Sequence, residues 1–181
     1  RGNRSINAAY KVFSNDLSGT YAQLDATHGN VAGGELFMYL AGHKQDPVEF
    51  QIQPPVGWRV ISGRTETPDQ TSWRYPNYEL FIDNPTEIGP DWTLDEFTSG
   101  GKSYRVVVHS RGNEGGMRPN LVRDIRRVVE AEVAMWGPPD FDRYTFMYHF
   151  TNDGRSSDGM EHLVSTSIIS PNSLEDYGVM G

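Results

Sequence analysis

One amphipathic helical segment, set among segments with strand patterns, most constrains how this chain can fold. Between residues 120 and 136, apolar residues recur at spacings of three and four, which predicts a helix of about four and a half turns. Its apolar face comprises Leu121, Val122, Ile125, Val128, Val129, Val133 and Trp136. Asn120 is expected to cap the start, because an Asn side chain accepts from an early backbone N–H. Gly137-Pro138-Pro139 ends the helix.

The residues before this helix have strand patterns instead. Residues 48–52 alternate between apolar and polar side chains, and residues 58–62 and 102–109 are further strand candidates. The apolar run at 36–41 predicts another buried strand. Turn signals recur about every ten residues, which is typical of an antiparallel β domain, either a sandwich or a saddle.

After the helix the strand pattern returns. Aromatic residues alternate with other residues over 144–150, and a second β run covers 163–169. The Gly-rich polar stretch at 111–119 is the best candidate for a domain boundary. We therefore predict an antiparallel β domain at residues 1–115 and the α+β beginning of a second domain at residues 116–181.

Composition excludes several classes of protein. The 181 residues contain no cysteine, which excludes a disulfide scaffold, a thiolate metal site and a cysteine nucleophile. No apolar run approaches the roughly 20 residues that span a bilayer, so no membrane span is expected. The net charge is -8, and nucleic-acid binders usually show a basic footprint. Nucleic acid is therefore not an expected partner.

No complete catalytic set is visible in the chain. None of the five histidines forms an H-x-x-x-H pair, and G-x-S-x-G and Walker motifs are absent. The residues therefore predict no catalytic group and no metal ligand. His28 follows Asp25 in a turn and is expected to make a turn hydrogen bond. His149 points away from the aromatic face of its strand and is a weaker functional candidate.

The segment Asp158-Gly159-Met160-Glu161-His162 is the best candidate for a site. It follows an aromatic strand and a turn, and it begins a new strand. Ionisable groups at a strand edge can face a cleft, although a surface turn with ordinary charges explains the same pattern. A glycoside hydrolase that uses Asp158 and Glu161 is a third possibility, and it requires the two carboxylates to flank one cleft.

Four phrases give the chain a resemblance to a known family. They are LDATHG at 24–29, DNPTEIG at 83–89, FDRYTFMYH at 141–149 and GMEHLVST at 159–166. Over roughly residues 10–170, the chain resembles the glycyl aminopeptidase family of zinc metallopeptidases. Asp158 stands where that family usually has the first Gly of its G-G-x-E-H segment.

The resemblance implies a β domain followed by the beginning of a thermolysin-like catalytic domain. The family's zinc ligands, H-E-x-x-H and a distal Glu, follow the G-x-E-H segment, so here they would lie beyond Gly181. We therefore expect a piece of a longer zinc enzyme that alone binds no zinc and is inactive. Its implied partners are a peptide substrate, the remainder of the catalytic domain and, in many members, a PDZ domain. The compartment stays open between bacterial cytoplasm and periplasm.

The resemblance also assigns substrate-binding roles to Gly159, Met160, Glu161 and His162. An aminopeptidase must recognise a free α-ammonium group, and a fixed carboxylate, Glu161, pairs with it. The peptide would add to the sheet edge as a strand, where Gly159 has no Cβ to block it and Met160 offers backbone groups. His162 either lines the pocket or caps the strand.

A non-catalytic β-sandwich module that binds carbohydrate or protein is the alternative. Trp73, Tyr75 and Tyr78 lie in a polar region and would stack on sugar rings if they were exposed. Burial of these rings would exclude such a platform.

Overall fold

The computed structural model describes residues 5–67, 70–154 and 157–178. The strands are β1 (Gln23–Leu24), β2 (Gly29–Val31), β3 (Val48–Gln51), β4 (Arg59–Ser62), β5 (Ser72–Tyr75), β6 (Thr86–Gly89), β7 (Thr93–Ser99), β8 (Lys102–Ser110), β9 (Arg143–Phe150), β10 (Asp158–Glu161) and β11 (Ser165–Ser170). The helices are α1 (Gly33–Leu36), α2 (Tyr78–Ile82) and α3 (Arg118–Trp136), followed by a short 3₁₀ helix at Leu174–Asp176.

The first part of the chain forms two small antiparallel sheets. One has four strands in the order β1-β2-β6-β4, and the other is the ribbon β3-β5. Aromatic side chains fill the core between them and α2, among them Phe50, Trp73, Tyr75 and Phe81. The sequence prediction of an antiparallel β domain is confirmed.

The second part is an α+β unit built on a five-stranded sheet in the order β10-β11-β9-β8-β7. Strands β8 and β9 are parallel, and α3 forms the connection between them. Leu121, Ile125 and Val129 bury the apolar face of α3 against the sheet, as the periodicity predicts. The chain is therefore mainly β with few helices, which confirms the predicted fold class.

The helix start differs from the prediction. Helix α3 begins at Arg118, with Met117 as N-cap residue and no side-chain cap. Pro119 lies in the first turn, where its fixed φ favours helix initiation and its missing N–H costs nothing. Asn120 is therefore inside the helix and does not cap it.

The sheets divide the chain at a different position from the predicted boundary at 115. Strands β7 and β8 precede that position, yet they belong to the same sheet as β9, β10 and β11. The change of sheet falls between Gly89, the end of β6, and Thr93, the start of β7. The Gly-rich stretch at 111–119 is instead the connection from β8 into α3.

The predicted buried strand at 36–41 was wrong. The chain forms the short helix α1 and then an irregular segment in which Met38, Tyr39 and Leu40 are exposed. Phe37 packs into the aromatic core, ring to ring with Phe81. A continuous apolar run has no hydrophobic period. It therefore does not distinguish a buried strand from an irregular segment that buries only one side chain, here Phe37.

The proposed sugar-stacking platform is excluded by burial. Trp73, Tyr75 and Tyr78 are 8%, 2% and 8% exposed. The indole N–H of Trp73 donates to the Tyr75 hydroxyl inside the core. These rings stabilise the N-terminal fold and are not available to a ligand.

The two parts share a buried core. Ile61 of β4 packs with Trp92, Val107 of β8 and Met147 of β9, all at most 1% exposed. The Arg105 side chain, on the same face of β8 as Val107, donates to the carbonyls of Thr65 and Glu66. The shared core holds the α+β sheet against the N-terminal sheet.

Within the described ranges, no helix has the length and apolar character needed to cross a membrane.

Candidate functional site

The predicted substrate-binding segment lies at the edge of the five-stranded sheet. Residues 158–161 form β10, which pairs with β11 on one side and is the end strand of the sheet. Gly159 and Glu161 are exposed. An end strand presents backbone N–H and C=O groups that another extended chain can pair with.

Glu161 lies beside a residue that lines an apolar groove. Its cross-strand neighbour is Thr166, and directly opposite residues place their side chains on one face. Thr166, Tyr144, Phe146 and Trp136 line a groove of about 500 Å³ between α3 and the sheet. Burial, and next the charge of Glu161, raise the pKa of Tyr144 to about 12. Within the described residues, no hydrogen bond or ion pair involves the Glu161 carboxylate.

The other end of the segment is held by Asp158. Its carboxylate accepts from the backbone N–H of Gly19 and from that of Gly159, each at 2.8 Å. Position 19 must be glycine, because a Cβ there would lie 2.7 Å from the Met160 Cβ.

Asp158 and Glu161 are separated by an odd number of positions in β10, so their side chains point to opposite faces. They do not flank one cleft, which removes the basis for a glycosidase pair.

Met160 and His162 are also fixed by contacts within the chain. The Met160 carbonyl accepts from the Thr166 hydroxyl at 3.0 Å. The Asp83 carboxylate lies 3.1 Å from His162 Nδ1 and accepts from the Leu163 N–H at 3.0 Å. Since Asp83 ends α2, it ties the N-terminal part to the segment that carries Glu161.

The Asp83 clamp gives a prediction for stability. Asp83→Asn is expected to lower the free energy of unfolding by about 1–2 kcal/mol, because an amide has one acceptor oxygen for two donors and no charge. Urea denaturation monitored by circular dichroism measures the change. The matched control is Asp46→Asn: Asp46 bonds His43 Nδ1 at 2.8 Å, but both side chains are more than half exposed. Its cost should stay below about 0.5 kcal/mol, and equal costs for both variants would contradict a special role for Asp83.

A second cluster of functional groups is buried between the two parts of the chain. His28, Glu87 and His149 are 0%, 0% and 1% exposed. His109 of β8 is 4% exposed and Asn30 of β2 is 1% exposed. Three of the sequence segments that carry the family resemblance meet here, and each contributes one ionisable side chain to the cluster. LDATHG contributes His28, DNPTEIG contributes Glu87 and FDRYTFMYH contributes His149.

Glu87 is at the centre of this buried cluster. Its Oε1 lies 2.5 Å from His28 Nε2, and its Oε2 lies 2.7 Å from His149 Nε2. The Asn30 amide donates to Oε2 at 3.4 Å. The His109 ring stacks on the His28 ring with centroids 3.9 Å apart. A carboxylate and three imidazoles therefore share one interior site.

The charges in the cluster are set by burial and by mutual contact. Burial opposes ionisation of Glu87, but the electrostatic and hydrogen-bond contacts with His149 and His28 outweigh it, and the pKa of Glu87 falls well below its usual range. Burial, and next the charge of His28, lower the pKa of His109 to about 4. Glu87 is consequently an anion in the core, and His109 is a neutral imidazole at pH 7.

The sequence interpretation missed this cluster, with His28 as the clearest case. The predicted turn exists: the Asp25 carboxylate accepts from the backbone N–H groups of Thr27 and His28. The His28 ring, however, points into the core. The available signal was that His28, Glu87 and His149 each belong to a phrase of the resemblance, whereas His109 had no such signal.

Two comparisons show which known proteins the chain is similar to. Residues 1–90 match the Peptidase M61 N-terminal domain family. The chain is similar to peptidases of the M61 type. It also matches the crystal structure of an aminopeptidase N family protein from Idiomarina loihiensis, with a TM-score of 0.77 and 27% identity over 87% of this chain. No curated protein matches the chain.

The M61-type match agrees with the layout of the sheets. It ends at residue 90, one residue after β6, where the four-stranded sheet ends. The chain spans 27% of the length of the Idiomarina protein. The predicted roles of Gly159, Met160, Glu161 and His162 as substrate-binding residues stay predictions.

Proposed function

We propose that this chain is the N-terminal part of a zinc metallo-aminopeptidase of the M61 type, which releases small N-terminal residues, Gly or Ala, from peptides. In this proposal the segment 159–162 binds the substrate α-amine. The observation that carries it is the exposed Glu161 carboxylate, which has no partner among the described residues. It lies on an edge strand, and its cross-strand neighbour Thr166 lines an apolar groove.

Glu161 would select for a free amino terminus by charge pairing. An ammonium group brought into a water-poor pocket needs a fixed anion, and charge-assisted hydrogen bonds to a carboxylate supply it. After burial, the charge of Glu161 contributes to the raised pKa of Tyr144, which lines the groove. An acylated amino terminus has no charge to pair, so it gains nothing from this contact.

The β10 edge would hold the peptide extended. Strand addition uses backbone hydrogen bonds, which suits an enzyme that accepts many sequences beyond the first residue. Gly159 is exposed and brings no side chain to the strand, and the clamp from Asp83 to His162 and Leu163 keeps the following turn in place. The segment thus aligns the peptide while Glu161 fixes its amino end.

The zinc ion of this proposal would supply a nucleophilic water at neutral pH. This sequence contains no H-E-x-x-H, and in this proposal the residues that hold the catalytic ion would belong to a part of the protein outside this sequence. A PDZ domain as an additional partner stays a prediction.

An aminopeptidase assay on the longer protein tests the proposal. Gly-p-nitroanilide and Ala-p-nitroanilide should be hydrolysed, while N-acetyl-Gly-p-nitroanilide should not. Removal of zinc with a chelator should abolish turnover, and the 181-residue chain alone should show none. Equal hydrolysis of the acetylated compound would overturn the role of the α-amine, and turnover by the isolated chain would overturn the location of the zinc ligands.

A further inference from the structure

We propose that His28, Glu87 and His109 bind one divalent transition-metal ion of the zinc class in the buried cluster between the two parts of the chain. One ligand atom from each residue lies within 4.8 Å of the others, and all three side chains are buried. The proposal departs from the expectation that this chain alone binds no metal, and it does not depend on the proposed peptidase activity.

The polar atoms that face each other in the cluster are incompletely satisfied. His28 Nε2 and Glu87 Oε1 are 2.5 Å apart, yet neither atom has a partner with hydrogen-bond geometry. Buried polar atoms are nearly always hydrogen-bonded, so an Oε1 that has the electrostatic contact with His28 but not this geometry still carries a desolvation cost. An ion that accepts lone pairs from both atoms removes this cost, because neither has to act as the donor.

The ligand types match the zinc class. Imidazole nitrogen and carboxylate oxygen bind Zn²⁺ at about 2.0–2.2 Å, and two His with one carboxylate form a known zinc-binding set. Calcium and magnesium prefer sets made of oxygen ligands. The cluster contains two imidazoles for one carboxylate, so it favours the transition metal.

Glu87 is positioned as metal-binding carboxylates usually are. Its second oxygen, Oε2, lies 2.7 Å from His149 Nε2 and accepts from the Asn30 amide. Such outer contacts orient a ligand and leave its other oxygen directed at the ion. His149 is therefore a positioning residue in this proposal, and Oε1 is the ligand atom.

Ion binding requires two local movements. Two atoms that ligate one Zn²⁺ at about 2.0–2.2 Å in tetrahedral geometry lie roughly 3.4 Å apart, so Glu87 Oε1 and His28 Nε2, now 2.5 Å apart, must separate. The His28 and His109 rings are stacked with an interplanar angle of 8°, whereas imidazoles that share an ion direct their lone pairs to one point. The His109 ring must turn out of the stack. The turn breaks the stack on His28 and the 3.5 Å contact with the Asp91 carboxylate, whose side chain is more than half exposed. The surrounding core must also make room, because His109 is buried.

The resulting site would join both parts of the protein. Glu87 belongs to β6 of the N-terminal sheet, and His109 belongs to β8 of the five-stranded sheet. His28 immediately precedes β2. An ion held by all three would cross-link the sheets and stabilise their contact.

Zinc stoichiometry of the 181-residue chain tests the site, because no H-E-x-x-H is present to add a second ion. The chain is treated with a chelator, reloaded with ZnCl₂ and freed of excess ion before zinc is measured by mass spectrometry. We expect about one zinc per chain and a higher melting temperature with Zn²⁺ than with Mg²⁺. Glu87→Gln and His109→Gln should lose the bound zinc, and His149→Gln should weaken zinc binding about 10- to 100-fold.

The matched control is His43→Gln, since His43 is an exposed histidine outside the cluster. It should retain the zinc. A folded wild-type chain without zinc, or zinc retained by both ligand variants, would overturn the proposal and leave a hydrogen-bonded network only. In the longer protein, the zinc content of wild type minus that of Glu87→Gln should equal one ion per chain. This measurement does not require the 181-residue chain to fold alone. Cobalt substitution should add a visible absorption band that depends on His109.

Discussion

Glu161→Gln is expected to lower kcat/KM for Gly-p-nitroanilide about 30- to 1000-fold in the proposed longer enzyme. The change keeps the size of the side chain and removes its charge, so the substrate ammonium loses its charge-assisted pairing. Loss of such pairs costs roughly 2–4 kcal/mol in transition-state binding, and each 1.36 kcal/mol is about a factor of ten. Steady-state kinetics at pH 7 measures the change.

The matched control is Glu130→Gln, a similar loss of charge on the exposed face of α3. Its kcat/KM should stay within about twofold of wild type, because surface substitutions away from a site have small effects. A second readout separates substrate recognition from loss of structure: preference for the free amine over the N-acetyl compound should fall in Glu161→Gln alone. Unchanged preference would remove Glu161 from the amine site.

The elements with a clear period could be predicted from the sequence. Helix α3 was expected at 120–136 and is Arg118–Trp136, and the alternating run at 144–150 is β9, Arg143–Phe150. Periodicity predicts these elements because α3 buries one apolar face against the sheet. One face of β9 packs against α3, and its other face packs against the N-terminal part. The end of α3 was also correct, since Gly137 at the C-cap has φ 85°.

The pairing of strands could not be read from the same patterns. The sequence placed 102–109 at the end of the N-terminal domain, but β8 pairs in parallel with β9 across the whole length of α3. An apolar run shows that a strand is buried, without showing which strands lie beside it. The Gly-rich stretch before α3 therefore looked like a boundary, although it is a connection within one sheet.

The segment 158–162 and the buried cluster differ in how visible they were. Glu161 was found because it and His162 are adjacent ionisable residues at a predicted strand edge and because the resemblance covers them. Glu87 was overlooked as a single ionisable residue, a kind that is mostly exposed in proteins, and His149 was named only as a weaker candidate with no partner. Only the fold brings β6, β8 and β9 together so that their side chains meet.

Trp92→Ala is expected to lower the free energy of unfolding by about 3–5 kcal/mol, the usual cost of truncating a large buried aromatic residue. Trp92 is fully buried and lies between the last strand of the N-terminal sheet and the first strand of the five-stranded sheet. It packs with Val107 and Met147, and the Arg59 guanidinium lies over its ring at 3.8 Å. Truncation opens a cavity at the junction and removes this cation–π contact.

The matched control is Trp136→Ala at the end of α3, where the side chain is 81% exposed. Its cost should stay within about 0.5 kcal/mol, because little apolar surface is buried there. Urea unfolding of the 181-residue chain, followed by far-UV circular dichroism, gives both values. Because the core around Trp92 is shared, the two sheets of the wild-type chain should unfold in one transition, and Trp92→Ala should shift its midpoint. A small, equal cost for both tryptophans would show that the sheets are stable separately and that the shared core does not couple them.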